Sequence, residues 1–427
     1  MKTTPIWWEF PEWENRPTTI ATPPAKVDVA IIGSGYTGLN TALVLARAGV
    51  SVAVFEAGEF GEGASSRNGG MVGPSFHKLG VNGMKQQFGE AVANGILAES
   101  IGFIDHLEAF LKVENIDADF NRTGRLLGAR KPADLERYKR MLETLQGACA
   151  VKGHIVAKQD MQSEIGSQHY EGGLVFPTDG GLNPAKYLAG LAQKVVEAGA
   201  HIFPQTPVEH ITKTAKVHTL TTPRGEVLAD EIAVCTNGYT GKQFGALRRR
   251  ILPLRSAILA TEELPTALMD ELFPNRRMHG DSRRLVAYYR PSPDRKRLLF
   301  GGRAVGLTER PAANERLLRH MMLEVFPQLS TVKTTHVWSG LVAYTFSHAP
   351  HLGKQDGVHY AMGYVGSGVA RASYFGQKLG HKILGNVSEG ETMFDQLTFK
   401  TKPLYNGNPW FMPGLVRWQS MLDKFKL

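Results

Sequence analysis

Gly33, Gly35 and Gly38 stand at the spacing G-x-G-x-x-G, with Ser34, Tyr36 and Thr37 between them. Glycine at these places permits a tight turn, close approach of backbone amides to a pyrophosphate, and close packing of a following helix on a preceding strand. Further along, Glu56 and Ala57 fall where the next strand ends. A carboxylate there accepts hydrogen bonds from ribose hydroxyls and repels a 2′-phosphate. The chemistry indicated is binding of an unphosphorylated adenine dinucleotide. NAD and FAD offer the same adenosine diphosphate end to such a turn, and local spacing does not separate them.

The elements around the glycines agree with that chemistry. Residues 27–32 form a short apolar strand, a helix carries Leu39, Leu43, Val44 and Ala46 to a stop at Gly49, and residues 51–55 form a second strand. This is a βαβ beginning. Helical spacing recurs over 85–112 and 134–147, and Asn183-Pro184 opens another helix with an N-cap followed by proline. Residues 208–211, 217–221 and 232–236 read as a small meander. Longer strands near 251–261, 285–290, 297–302 and 332–345 predict a second, mostly antiparallel sheet. Before all of these, five prolines and Trp7, Trp8 and Trp13 in residues 1–26 predict an extended arm across the body, or a channel lining.

Composition bounds the alternatives. A chain of 427 residues with 42% hydrophobic and 21% charged side chains can bury a sizeable core and is not a disordered tail. The net charge of +9 is modest for this length. Arginine clusters at 248–250, 283–284 and 295–297 could serve a basic nucleic-acid-binding protein, but they read better as solvated loop charges. Cys149 and Cys235 lack metal-ligand spacing and fit a reducing, cytoplasmic setting. Residues 409–427 mix tryptophans with basic side chains, as a membrane-interfacial helix or one docked on the protein itself would; no stable membrane insertion is expected.

Several ordered segments then narrow the cofactor. Gly63 to Gly70, Gly181-Leu182-Asn183-Pro184, Thr236-Asn237-Gly238-Tyr239, Leu299 to Arg303, Trp338-Ser339-Gly340 and Gly366-Ser367-Gly368-Val369 resemble the flavin-dependent amine and amino-acid oxidases of the D-amino-acid oxidase superfamily, most of all the γ-glutamylputrescine oxidase-like branch. The resemblance implies FAD, held in an α/β fold: a discontinuous Rossmann-like domain (27–75, 150–245 and 335–400) beside a second α+β substrate domain (76–149 and 246–334), with an arm at 1–26 and a tail at 401–427. It implies that Ser65, Ser66, Arg67, Asn68, Gly69, Gly70 and Met71 run beside the pyrophosphate and flavin, that Val208 lies near the adenine, and that Thr236, Asn237, Gly238 and Gly340 also meet the cofactor. Gly366, Ser367, Gly368 and Val369 open a helix whose N-terminus faces the ring, where its dipole favours the charge of reduced flavin.

By the same resemblance the reaction is oxidation of a small-molecule amine or amino acid, with imine hydrolysis and electrons passed to O2, giving hydrogen peroxide. A dehydrogenase using a quinone or another acceptor is the alternative, because Leu299 stands where sarcosine-oxidase-like relatives carry an oxygen-activating lysine. Glycine-oxidase-like relatives often place a carboxylate-clamping arginine where this chain has Val342. His77, Tyr288, Arg290, Arg303, Tyr344 and His348 are the substrate-pocket candidates, each with an ordinary packing or ion-pairing role as the competing reading.

Overall fold

The computed structural model describes all residues except 19–20, 75–78, 215–216, 307, 413, 415–417 and 419–427. His77 and most of residues 409–427 therefore lie outside the described residues.

The expected βαβ unit is present. Strand β1 (Lys26–Ile32) leads through the glycine turn into α1 (Tyr36–Arg47), and β2 (Val52–Phe55) returns parallel to β1. β1 is nearly continuous in apolar residues because a parallel strand is covered on both faces. A short helix, α2 (Ala64–Arg67), follows β2. The sheet around β1 runs in the order 351–355, 358–362, 225–234, β1, β2, 201–203, and the predicted meander (210–213 and 218–222) pairs onto 225–234.

A second sheet of eight strands is mostly antiparallel, also as expected. Its order is 334–345, 251–261, 298–303, 288–291, 278–281, 125–128, 172–176, 154–157. We label four of these β3 (Ile251–Thr261), β4 (Tyr288–Pro291), β5 (Leu298–Arg303) and β6 (Thr334–Thr345). Helix α3 (Pro132–Ala148) packs on the far end of this sheet, and α4 (Gly368–Leu384) packs on α1. Two strand pairings run across the expected division of the chain. Residues 172–176 pair with 125–128 and residues 154–157 pair with 172–176, rather than with the β1 sheet, and β6 pairs along nearly its whole length with β3. Backbone pairing, invisible in local composition, decides both.

The helix predicted from Asn183 has its cap. The Asn183 side chain accepts from the Ala185 and Lys186 amides at 3.1 and 3.2 Å, and Pro184 takes the first helical position, where no amide partner is needed.

The arm lies across the body and lines none of the main cavity. Trp7 and Trp13 are buried, and Trp8 stacks on Trp13 with ring centroids 5.6 Å apart. The Lys2 amide donates to Thr335 and the Lys2 carbonyl accepts from Val337, so the arm hydrogen-bonds to β6. Glu9 adds a contact to His336 at 3.0 Å.

Two buried histidines make the fold sensitive to acid. His279, stacked on Tyr289 at 5.2 Å, has both ring nitrogens without a hydrogen-bond partner, and burial pushes its pKa down to about 3. Burial likewise lowers His351 to about 4. Unfolding releases both to titrate near the ordinary value of 6.5, so the unfolded state binds more protons below that pH and stability falls as pH drops from 6.5 toward 4. Each group contributes about 1.4 kcal/mol per pH unit in that window. Urea unfolding at pH 7 and pH 5 should therefore show a loss of about 3–4 kcal/mol at the lower pH, and His351→Gln should remove its share of the slope. Equal stability at the two pH values would refute the assignment.

Candidate active site

One cavity of about 1150 Å³ joins the glycine turn to the face of the second sheet. At the turn end it is lined by Gly33, Ser34, Gly35, Tyr36 and Thr37, together with Glu56 and Ala57. Gly33 has φ of +104°, and a Cβ on it would come within 3.0 Å of the Cys235 carbonyl oxygen. Only glycine suits both the dihedral and the approach. Helix α1 has no side-chain cap at its N-terminus. The Tyr36 amide donates to Ser65 Oγ at 3.1 Å, while Tyr36 and Thr37 line the cavity. Uncapped first-turn amides with the positive end of a helix dipole suit an anion. The Glu56 carboxylate is held at the cavity edge by the Ser34 amide and hydroxyl, at 3.1 and 2.7 Å. Glycine cradle, open amides and a fixed carboxylate are the donor and acceptor set that pyrophosphate and ribose need, so the residues present fit FAD.

The other expected cofactor residues divide into two layers. Ser65, Arg67, Asn68, Gly69, Met71, Val208, Thr236, Asn237, Gly340, Gly366, Ser367, Gly368 and Val369 line the cavity. Gly38, Ser66, Gly70 and Gly238 do not; they stand behind the wall. Gly38 packs against the Gly33 carbonyl, and the buried Ser66 hydroxyl donates to Gly61 O and accepts from Trp8 Nε1. The arm therefore supports α2 from outside: Trp7 Nε1 donates to Asn68 O at 2.9 Å, and the Arg67 guanidinium lies over the Trp8 ring at 5.0 Å. From the opposite side Trp338 Nε1 donates to Arg67 O at 2.8 Å. Arg67 itself donates to the carbonyls of Glu62 and Ser339 rather than to a carboxylate.

The second sheet forms the floor. Alternation along the strands points Leu254, Ser256 and Ile258 of β3, and Trp338, Gly340, Val342 and Tyr344 of β6, toward the cavity. Tyr288 lies across Gly301, and its hydroxyl is 2.9 Å from Ser256 Oγ. Burial pushes the Tyr288 phenol up to about 12, so it stays protonated.

Among the substrate candidates, Tyr288, Arg303 and Tyr344 line this floor. Arg290 does not, contrary to expectation. Its buried guanidinium donates to the carbonyls of Gly69, Gly70, Leu182 and Pro291, stapling the turn that precedes Met71. His348 is also displaced: it sits exposed in a left-handed turn after β6, with φ of +57°, outside the cavity lining.

Sequence reasoning missed Tyr239 and Arg255. The Tyr239 hydroxyl accepts from the Leu341 amide at 3.0 Å, bracing β6, and Arg255 pairs with Glu309 at 2.8 Å on the cavity wall. Tyr239 is the last residue of the matched segment Thr236-Asn237-Gly238-Tyr239, which was the available signal; nothing local marks Arg255. Of the arginine clusters, Arg283 pairs with Asp281 at 2.9 Å and Arg297 with Glu263 at 3.4 Å. Among the described residues no helix is long and apolar enough to cross a membrane.

Residues 28–381 match the family described as DAO, FAD dependent oxidoreductase. The chain is 32% identical over 408 residues to a probable oxidoreductase OrdL of Rhizobium meliloti, covering 94% of this chain and 93% of that protein. It is 30% identical to the gamma-glutamylputrescine oxidoreductase of Escherichia coli, covering 84% of each. In fold it is similar to the crystal structure of glycine oxidase from Geobacillus kaustophilus, with a TM-score of 0.74, 21% identity, and coverage of 89% of this chain and 99% of that one.

Proposed function

The chain belongs to the DAO family of FAD dependent oxidoreductases, and from that premise we propose that it oxidises a primary or secondary amine, or an amino acid, at the carbon beside nitrogen. The product is an imine, which water hydrolyses to an aldehyde or oxo acid and releases ammonia or the smaller amine. The observation that carries this reading is the continuity of the cavity: the dinucleotide cradle and the sheet floor share one space.

FAD, when bound, supplies the hydride-accepting chemistry, so no nucleophile or acid–base triad is required of the protein. The chain's own residues have simpler tasks. The Glu56 carboxylate would take ribose hydroxyls, and the first-turn amides of α1 would take pyrophosphate. Ser367 starts the 17-residue helix α4 without a side-chain cap, so the positive end of its dipole favours negative charge developing in the cavity. Trp338, Ile258 and Leu254 make the floor apolar and displace water. The protonated Tyr288 hydroxyl and Ser256 provide polar contacts to orient a neutral amine.

We assign O2 as the electron acceptor, giving hydrogen peroxide. Leu299 favours a second reading, a dehydrogenase. It is buried on the cavity-facing side of β5 and offers no cation to assist reduction of oxygen. Anaerobic addition of primary amines, N-methyl amines and amino acids to the FAD-loaded protein tests the reaction. Bleaching of the oxidised flavin band by at least one class is expected, and its absence across all classes would overturn the amine reading. Admitting air then separates the acceptors: fast recovery with peroxide marks the oxidase, and slow recovery accelerated by a quinone marks the dehydrogenase.

A further inference from the structure

Residues 241–250 and 396–412 carry Lys242, Arg248, Arg249, Arg250, Lys400 and Lys402 and not one Asp or Glu. These 27 residues hold two-thirds of the chain's net charge of +9. The two segments meet in space. Arg250 Nε donates to the Phe399 carbonyl at 2.9 Å, the Tyr405 hydroxyl donates to the Ile251 carbonyl at 2.6 Å, and the Arg248 side chain lies against Gly407. Among the described residues, no carboxylate is within ion-pair distance of any of the six cations. The arginines at 283 and 297, by contrast, face Asp281 and Glu263. An uncompensated cluster of this kind favours an anionic partner.

The second segment also exposes apolar side chains. Leu404 is 98% exposed, more than any other large apolar side chain among the described residues, and it holds φ of +61°, which leucine rarely adopts. Trp410 and Trp418 are 71% and 55% exposed, while the other four tryptophans are buried or half-buried. The residues beside them are anchored. Tyr405 is buried against Phe346 with ring centroids 5.4 Å apart, and Phe411 packs on Tyr405 at 6.2 Å.

A bilayer interface accommodates both the charge and the apolar groups. Indole rings settle at headgroup level, a leucine enters the acyl boundary, and arginine and lysine meet lipid phosphates. A second copy of the chain would bring six cations without carboxylate partners against six more. A nucleic acid would satisfy the cations and stack on Trp410, but has no apolar phase for Leu404.

We propose that the surface formed by residues 241–250 and 396–412 docks on an anionic lipid bilayer, with Leu404 and Trp410 entering the headgroup region and Arg248, Arg249 and Lys402 on its phosphates. This goes beyond amine oxidation and does not depend on it. Ile251, bonded to Tyr405, begins β3, and Leu254 three residues on lines the cavity floor, roughly 10 Å along the strand. Docking therefore sets the cavity beside the lipid without a spanning helix.

Sedimentation of the full FAD-loaded chain with vesicles tests this. Affinity for vesicles of phosphatidylglycerol and phosphatidylcholine in equal parts should exceed that for phosphatidylcholine alone at least about tenfold, since each basic residue near an anionic surface contributes roughly fivefold. High salt should remove most of that difference. Leu404→Ser combined with Trp410→Ser should weaken binding about tenfold, and Arg249→Glu combined with Lys402→Glu about a hundredfold. All four positions are exposed, so melting temperature and flavin content should stay unchanged in both variants. No sedimentation with either vesicle, or equal affinity for the two, would overturn the proposal. Undiminished binding by the Leu404→Ser, Trp410→Ser variant would overturn apolar entry. A concentration-dependent dimer abolished by that variant, in a protein that ignores vesicles, would replace lipid with a second copy. RNA that outcompetes the vesicles and needs only the cations would replace it with nucleic acid.

Discussion

Gly38→Ala should yield a protein that purifies without flavin and melts at a lower temperature. An ideal Cβ at residue 38 would lie 2.0 Å from the carbonyl oxygen of Gly33 and 3.1 Å from Ile31 Cγ2. The first of these is backbone and cannot rotate away, so α1 must lift from the turn that leads into it. Overpacking of this kind costs about 1–3 kcal/mol, and a backbone collision belongs at the upper end. The cofactor loses more than stability alone suggests, because displacing α1 moves the first-turn amides that make the cradle. Flavin affinity should fall more than tenfold, measured from the flavin-to-protein absorbance ratio and by titration with FAD. Gly245→Ala, at an exposed helical position where a Cβ meets open space, serves as the control and should retain its flavin. Full occupancy in Gly38→Ala would refute the packing argument.

Arg290→Met should be the most destabilising change on the second sheet while leaving substrate affinity of the surviving holoenzyme untouched. The guanidinium donates to Leu182 O at 2.9 Å, Gly70 O at 3.2 Å and Gly69 O at 3.3 Å, and its Nε donates to Pro291 O at 3.0 Å. Methionine fills similar volume but leaves buried carbonyls without a donor, at about 1–3 kcal/mol for each that water cannot reach. A total near 3–5 kcal/mol is expected by analogy with removing one member of a buried charged network. Denaturant unfolding and steady-state kinetics on the same preparation check the two halves. A raised KM with unchanged stability would return Arg290 to the substrate-binding role that its position in the chain suggests.

That contrast shows where the sequence was legible. The dinucleotide cradle could be read because its constraint is steric and local: Gly33, Gly35 and Gly38 lie within one turn, and the strands and helix beside them carry their own periodicity. Asn183-Pro184 was legible for the same reason, since a cap and its helix are neighbours. Arg290 and Arg303 were not separable. Both are arginines on adjacent strands of one sheet, and their difference lies in acceptors contributed by Gly69, Gly70 and Leu182, far away in the chain. His348 was misplaced because a left-handed turn after β6 carries it away from the floor to which Tyr344 still contributes. The sheet membership of residues 154–176 depends on pairing partners and leaves no local pattern. The arm was legible in outline from its prolines and tryptophans, but not its destination on α2 and β6.

That destination sets an order of events on the ribosome. Trp7 and Trp8 brace Asn68 and Ser66, yet the arm is also tied to Thr335, His336 and Val337, with Glu9 and His336 separated by 327 positions. A nascent chain that has completed β1, α1 and β2 has a phosphate cradle but no strand on which its arm can lodge. The arm closes only when β6 has emerged, so a segment translated ahead of β1 is among the last to find its place, and the brace it gives Ser66 and Asn68 is deferred until synthesis of the second sheet is finished.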